Sequence, residues 1–422
     1  MHNIRESVFW FLDRLKGSPI RSKYLILKDF GSKPESNAQA LNDILEYARK
    51  NVPFYKNIEK NELSAFPVID KGVIKPDYSQ FRSPEFPDEE KLVVFHTSGS
   101  SGTPFKSYQN KEKNDYHKAF LILQHERFGW RIGNRWAHMR NWGYGAPATK
   151  KDCFIKNLVP LSVLNLNDEK LETIVKTLVE DKKLHIILGY ASGLERLALY
   201  IVQKHYEDLD FGIKLIIADS DNLKESSWDL LERIFKCPVL NRYANIENGI
   251  IAITRDKDRT FYIENSQVYV EVLQRDSDVS VEPGEIGRVV ITDLHNKALP
   301  FIRYDTGDLA VAKRIVNGQC MEIGSLMGRE ISALHRTDGT LLSETNIMGR
   351  FKEFTDIGRY QIRQKTERKY VMILENASPD VDEKCAAELK KIFGDDAEVS
   401  VEHTDCIPCK ESGKFAVTVS EL

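Results

Sequence analysis

His96-Thr97-Ser98-Gly99-Ser100-Ser101-Gly102-Thr103-Pro104-Phe105-Lys106 is the stretch on which the reading of this chain turns. It follows a short apolar run at 92–96, which predicts a buried strand, and it precedes a predicted helix over 112–128. Its glycines let the backbone turn sharply and bring N–H groups close to a ligand. Successive N–H groups in such a loop make a concave anion site. The hydroxyls of Thr97, Ser98, Ser100 and Ser101 add hydrogen bonds for phosphate oxygens, and Thr103 offers a fifth. A flexible Ser/Gly linker does not fit between a strand and a helix. The GxxxxGK[ST] loop is also absent, because Gly102 is followed by Thr103 rather than Lys. The stretch therefore reads as a phosphate cradle of another kind.

Outward from this loop, strands and helices alternate. Helices are predicted at 168–183, 192–207 and 224–235, and strands at 184–188, 213–218 and 238–243. That alternation implies a mainly parallel sheet covered by helices, the α/β class. Residues 250–316 are rich in Val, Ile, Tyr and Thr, with turns at 256–258, 282–284 and 295–297, and predict antiparallel β structure. Residues 1–90 predict helices joined by Pro-containing loops, with Leu41, Ile44, Leu45 and Ala48 at helical spacing. Residues 329–422 predict a small α+β unit: strands at 359–374, 397–403 and 414–420, and a helix at 380–393. A length of 422 residues exceeds one ordinary core. The expected division is a large domain at 1–328 and a small mobile one at 329–422. The large domain comprises a helical arm at 1–90, an α/β part at 91–249 and a β-rich part at 250–328.

Four further segments bear chemistry. Arg242-Tyr243-Ala244-Asn245-Ile246-Glu247-Asn248-Gly249 ends the strand at 238–243, Pro300-Phe301-Ile302-Arg303-Tyr304-Asp305-Thr306-Gly307-Asp308-Leu309 lies within the β-rich run, and Gly328-Arg329 comes after it. Near the C-terminus stands Ile407-Pro408-Cys409-Lys410-Glu411-Ser412-Gly413-Lys414-Phe415. Taken one at a time, a loop Glu is usually solvated, a TGD is a turn, and a late Lys is surface charge. Their order along the chain carries the reading. With the Ser/Gly loop they resemble, in sequence, the motifs of the adenylate-forming superfamily, the acyl-CoA synthetases and their relatives.

The resemblance implies a fold and a set of roles. Ser98, Gly99, Ser100, Ser101, Gly102, Thr103 and Lys106 hold phosphates, with Thr97 beside the reacting group. Tyr243 stacks on adenine, Glu247 holds Mg²⁺, Asp308 accepts from both ribose hydroxyls, and Arg329 binds ribose or phosphate. Lys414 meets the acyl carboxylate and the α-phosphate, with Lys410 a nearby rival. Asp219 and Asp221 stand where relatives carry an adenine-side loop. Departures are Ala244 for Gly and Glu330-Ile331-Ser332 at the hinge. The branch resembled is that of the phenylacetate-CoA ligases, nearest to its capsular-polysaccharide (CapK-like) members. Val52-Pro53-Phe54-Tyr55, Phe66-Pro67-Val68-Ile69-Asp70-Lys71 and Gly189-Tyr190-Ala191-Ser192 carry that likeness.

The implied activity is activation of a small carboxylic acid by ATP through acyl-AMP, followed by transfer to CoA. Alternatives are transfer to an amine or sugar acceptor without CoA, and a non-catalytic nucleotide-binding assembly protein. Phe128, Trp130, Trp136, His138, Arg140, Trp142 and Tyr144 are candidates to approach the acyl pocket. No zinc is expected, since 251–261 holds neither Cys nor His and Cys406–Cys409 is a single CxxC. With 60 basic and 63 acidic residues and a net charge of −3, nothing points to nucleic acid. No apolar run of membrane-spanning length is present, and a cytoplasmic location is expected. The apolar face of residues 8–15 is expected to pack on its own domain. A homodimer joined through the N-terminal arm is left open.

Overall fold

The computed structural model describes residues 4–30, 37–96, 105–142, 147–220, 223–255, 258–329, 334–342, 347–348, 350–351, 354, 356–408 and 415–422. The arm contains helices α1 (Ile4–Leu15), α2 (Pro19–Phe30), α3 (Asn37–Asn51), α4 (Lys71–Ile74) and α5 (Tyr78–Phe81). Helix α3 buries Ile44, Leu45 and Ala48, as their spacing predicts. Leu45 and Ala48 join Tyr55, Phe66, Ile69, Phe105, Phe301 and Tyr304 in one core, so the arm is packed against the 300–304 segment. Helix α1 departs from expectation. Ile4, Val8, Phe11, Leu12 and Leu15 face outward, while Asp13 is buried. The Asp13 carboxylate accepts the N–H groups of Ile20 and Arg21 at the start of α2, and Trp10 packs edge-on against Tyr24. Capping a helix start with that carboxylate fixes the rotation of α1 and turns its apolar stripe to solvent.

Strands β1 (Val93–His96) and β2 (Lys106–Gln109) form a separate antiparallel pair, with His96 opposite Lys106. The predicted buried strand is thus half exposed and belongs to a hairpin rather than to the main sheet. Helix α6 (Lys111–Arg127) follows.

The main sheet has eleven strands. They are β3 (Arg135–Arg140), β4 (Leu158–Ser162), β5 (Leu184–Tyr190), β6 (Leu215–Asp219), β7 (Val239–Asn245), β8 (Gly249–Thr254), β9 (Phe261–Ile263), β10 (Val268–Leu273), β11 (Ile286–Asp293), β12 (Tyr304–Val316) and β13 (Gln319–Arg329). Their order is β10-β11-β12-β13-β9-β8-β7-β6-β5-β3-β4. From β4 to β7 neighbours run parallel. From β7 onward they run antiparallel. Helices α7 (Lys150–Lys156), α8 (Asp168–Glu180), α9 (Ala191–Gln203) and α10 (Glu225–Phe235) connect the parallel strands. Helix α8 begins on Asn167, whose side chain accepts the Lys170 N–H, and buries Leu171, Ile174, Val175 and Leu178. Period-2 alternation divides the strands: Ile187, Ile216 and Ala218 face α8–α10. Ile186, Leu188, Leu215 and Ile217 face Trp130 and Leu240.

Tyr243, Ile251, Phe261, Val270, Val289, Ala310 and Ile323 share one core, which brings both ends of the antiparallel portion together and requires it to curl. The C-terminal residues have their own core, including Leu334, Tyr360, Met372, Leu389 and Phe393. There, β14 (Leu334–His335) and β15 (Leu341–Leu342) form a pair. Strands β16 (Arg359–Gln364), β17 (Lys369–Glu375), β18 (Glu398–Thr404) and β19 (Thr418–Ser420) form a sheet ordered β18-β17-β16-β19, with the helix Asp382–Phe393 packed on it. The predicted single strand at 359–374 is two strands. The Lys365 N–H bonds the Lys369 carbonyl and closes a turn between them. The last strand is only three residues long.

Candidate active site

The site is built around the turn that joins β7 to β8. Asn245 Oδ1 accepts the Asn248 N–H at 2.7 Å, and Gly249 turns the chain at φ +88°. A Cβ at Gly249 would also lie 3.0 Å from the His117 ring, so the position favours glycine twice over. The turn is anchored from β2 and α6. Gln109 Nε2 and Ser107 Oγ donate to the Glu247 carbonyl at 3.3 and 3.5 Å. Lys113 Nζ donates to the Asn248 carbonyl at 3.2 Å and lies 2.6 Å from the Asp293 carboxylate.

The Glu247 side chain is 4% exposed, and its Oε1 sits 2.5 Å from Lys71 Nζ at the first turn of α4. Tyr304 Oη donates to the same oxygen at 3.3 Å. A nearly buried carboxylate needs such partners to remain charged. Asp70, just before Lys71, caps α4 by accepting the Val73 N–H, so the lysine starts from a fixed backbone position.

Asp308 sits on β12, and Tyr243 Oη donates to its Oδ2 at 2.7 Å and to Thr306 Oγ1 at 3.4 Å. Thr306 Oγ1 accepts the Asp308 N–H and donates to the Val289 carbonyl. Gly307 takes φ +74°, with its N–H on Asp305 Oδ1. Arg303 is buried and grips both oxygens of Glu271 at 3.1 Å as well as the Phe66 carbonyl. That arginine holds the 303–309 segment in place and does not face the site. Arg329 pairs opposite Asp308 in the β12–β13 ladder.

The structure thus joins the 243–247 segment to the 304–308 segment, far apart in sequence, through Tyr243 on Asp308 and Tyr304 on Glu247. Residues 97–104 lie outside the described residues, including Thr97, Ser98, Gly99, Ser100, Ser101, Gly102 and Thr103. Their flanks are placed: His96 and Lys106 face one another across the hairpin. Lys106 donates its backbone N–H to Tyr78 Oη, and its side chain is exposed. The side chain of Arg329 also lies outside the described residues, as do Tyr144, Asp221, Glu330-Ile331-Ser332, Cys409, Lys410 and Lys414. Asp219 is buried in an ion pair with Arg242 at 2.6 Å. Lys71, Tyr304, Gln109 and Lys113 were not singled out from the sequence as site residues. Lys71 and Tyr304 lie inside quoted motifs, which was their available signal. Gln109 and Lys113 gave none.

Along the parallel-strand side, rings follow one another: His125 stacks on Trp130 at 3.8 Å, Trp130 meets Trp136 at 5.0 Å, and Trp136 meets His138 at 5.5 Å. The Arg140 guanidinium lies 4.3 Å over the Trp142 ring. Burial pushes the His117 and His138 imidazoles down to about 4 and that of His125 down to about 3. His295, stacked on Tyr116, is likewise lowered to about 4 by burial. All four are neutral at pH 7, below the ordinary value near 6.5. Between about pH 6.5 and 4 the unfolded chain holds more protons than the folded one. Stability is therefore full above that window and falls as pH drops through it, by up to about 1.4 kcal/mol per pH unit for each histidine. Urea unfolding midpoints at pH 7.5 and pH 5 check this prediction. Equal midpoints would rule it out.

Glu247 is a lone carboxylate at its position, and among the described residues no cluster of three or more His, Cys, Asp or Glu gathers to cage a metal. A hard cation at Glu247 would complete its shell from phosphate oxygens and water, the habit of Mg²⁺ rather than of Ca²⁺ or Zn²⁺. The donor set fits such an ion, provided Lys71 gives up its hold on Oε1.

No family model matches the chain. Against curated proteins it is 24% identical over 413 residues to Protein CapK of Staphylococcus aureus, spanning 92% of this chain and 89% of that protein. Among solved structures it resembles 2-hydroxyisobutyryl-CoA ligase in the postadenylation state in complex with 2-HIB-AMP. That match has a TM-score of 0.69 at 15% identity and covers 91% of this chain and 88% of the other. The two share a fold. The sequence likeness to CapK runs over nearly the whole chain. The same ligase in the thioesterification state, with 2-HIB-AMP and CoA, gives a TM-score of 0.54 at 16% identity, covering 91% of this chain and 89% of the other. The shares covered are nearly equal. The first of these two scores is the higher.

Proposed function

We propose that this chain is an ATP-dependent ligase that activates a small carboxylic acid as acyl-AMP and passes the acyl group to CoA. The observation that carries this reading is the meeting of the Tyr243–Glu247 and Tyr304–Asp308 segments beside β2. On this reading the adenine and ribose lie along Tyr243 and Asp308, whose carboxylate exchanges the tyrosine hydroxyl for ribose hydroxyls. Arg329 reaches the same sugar or a phosphate. Ser98, Gly99, Ser100, Ser101, Gly102, Thr103 and Lys106 cradle the phosphates, and Thr97 stands at the reacting one. Magnesium bound at Glu247 supplies charge neutralisation on the phosphate oxygens. Lys71, displaced from Glu247, turns its ammonium toward the same oxygens.

One oxygen of the acid attacks the α-phosphorus, the bond to the pyrophosphate oxygen breaks, and pyrophosphate leaves. The acid is already ionised at neutral pH, so positioning and charge stabilisation make up the catalysis. Lys414 steadies both the carboxylate and the α-phosphate, with Lys410 the rival. We further propose a small domain at 329–422 that turns relative to residues 1–328, removing Lys414 so that the acceptor enters. A cytoplasmic location follows from the use of ATP and CoA.

A second acceptor reading, an amine or a sugar in polysaccharide assembly, draws support from the likeness to CapK. The test is exchange of labelled pyrophosphate into ATP across a broad panel of acids. Exchange that depends on one acid class is expected. ATP binding with no exchange for any acid would sink the ligase reading and leave a nucleotide-binding protein. With the active acid in hand, a CoA thioester or an amide product decides between the acceptors.

A further inference from the structure

Three charged side chains outside the site form a chain of contacts that leads to the lysine segment. Glu375, at the end of β17, has a side chain only 5% exposed. Its Oε1 lies 2.6 Å from Arg196 Nη1, and that arginine stands on α9 of the large sheet's helical layer. Its Oε2 accepts the Ile407 N–H at 2.7 Å and lies 3.5 Å from Arg359 Nη1. Arg359 is the cross-strand partner of Glu375, and its guanidinium lies 3.8 Å over the Phe415 ring. Ile407 and Phe415 stand on either side of Lys414 in sequence, seven residues before it and one after. A single carboxylate therefore holds one flank through the Ile407 amide and the other through Arg359. The same carboxylate is docked on the rest of the molecule through Arg196. Beside it, Lys224 lies over the Tyr360 ring at 5.0 Å while paired with Glu195 at 2.9 Å, a second tie between the same two surfaces.

We propose that Arg196, Glu375 and Arg359 are positioning residues for Lys414: the Arg196–Glu375 contact couples docking of the C-terminal sheet on α9 to the placement of the lysine segment. The inference rests on the adenylation reading above. A charge-assisted bond to a nearly buried carboxylate is among the stronger and more directional contacts a protein makes. When Arg196 is in place, both oxygens of Glu375 are engaged and both flanks of the segment are held. When the C-terminal sheet leaves α9, Glu375 loses the partner on Oε1. In the present structure the contact is made.

The experiment uses the full-length chain and two readouts. Arg196→Met and Glu375→Gln are expected to lower the maximal rate of acid-dependent pyrophosphate exchange at least tenfold, with the KM for ATP and for the acid changed less than twofold. Arg196→Lys should recover part of the rate. Hydrogen exchange at the Ile407 amide should be faster in both impaired variants than in the wild type. Wild-type exchange rates with unchanged Ile407 protection would overturn the proposal. So would a rise in KM with no recovery by lysine, which marks a general loss of structure. Should the wild type itself show no acid-dependent exchange, the ligase reading fails. The Ile407 amide then still decides whether the contact holds the segment.

Discussion

Lys414→Ala is expected to reduce acid-dependent pyrophosphate exchange by about 10²- to 10³-fold or more, while acyl transfer from preformed acyl-AMP to the acceptor stays near the wild-type rate. The size follows from the chemistry. Removing one preorganised donor at the transition state of group transfer costs on the order of 3–4 kcal/mol. A lysine ammonium is a compact point charge on a flexible stem, suited to delivery by a moving segment. The asymmetry between the two half-reactions is the informative part. A lysine that leaves before transfer has nothing to contribute to transfer. Equal loss of both steps refutes the moving-lysine role. Lys410→Ala in parallel shows which of the two lysines acts, because only the acting one should separate the half-reactions.

A second large effect is expected in stability. Lys113→Met should destabilise the fold by about 3–5 kcal/mol, read as a lowered urea midpoint. Lys113 and Asp293 are 1% and 0% exposed and lie 2.6 Å apart. Without the lysine, Asp293 is left as a buried charge whose remaining partners are the N–H groups of His295 and Asn296. Adding Asp293→Asn should recover most of the loss, since the amide oxygen still accepts those N–H groups and no charge is stranded. Recovery in the double variant assigns the effect to the unpaired carboxylate. Failure to recover assigns it instead to the lost bond on the Asn248 carbonyl, and hence to the Glu247 turn.

Much of the α/β part is legible because its helices are amphipathic and its strands are apolar. Helix α8, with its Asn167 cap and buried Leu171, Ile174, Val175 and Leu178, is the clearest case. The turn at 246–249 and the loop at 305–308 are also legible, as short motifs whose order carries more than their letters. What escaped is settled by long-range contact. Strand β2 reads Lys-Ser-Tyr-Gln, a polar run with no strand signal, yet Ser107, Tyr108 and Gln109 are buried because the Glu247 carbonyl and the core satisfy them. The outward face of α1 follows from a single carboxylate, Asp13, reaching the next helix. Hydrophobic pattern alone predicts the reverse. Lys71 stands 176 positions before the carboxylate it pairs with, a distance no local pattern spans.

The curl of the large sheet bears on how such a chain can diverge. Strands β7 and β12 are separated in the sheet by β8, β9 and β13, yet Tyr243 and Asp308 on them share a hydrogen bond. That bond is the clasp of a ring whose circumference is set by the irregular register between β12 and β13. A change in any of these strands alters the circumference and pulls the clasp apart. The aromatic row from Trp130 to Trp142 hangs on the parallel strands and takes no part in the ring. Mutations there leave the clasp alone, so on the ligase reading proposed above one acid can be exchanged for another on the parallel side while the nucleotide grip is inherited unaltered.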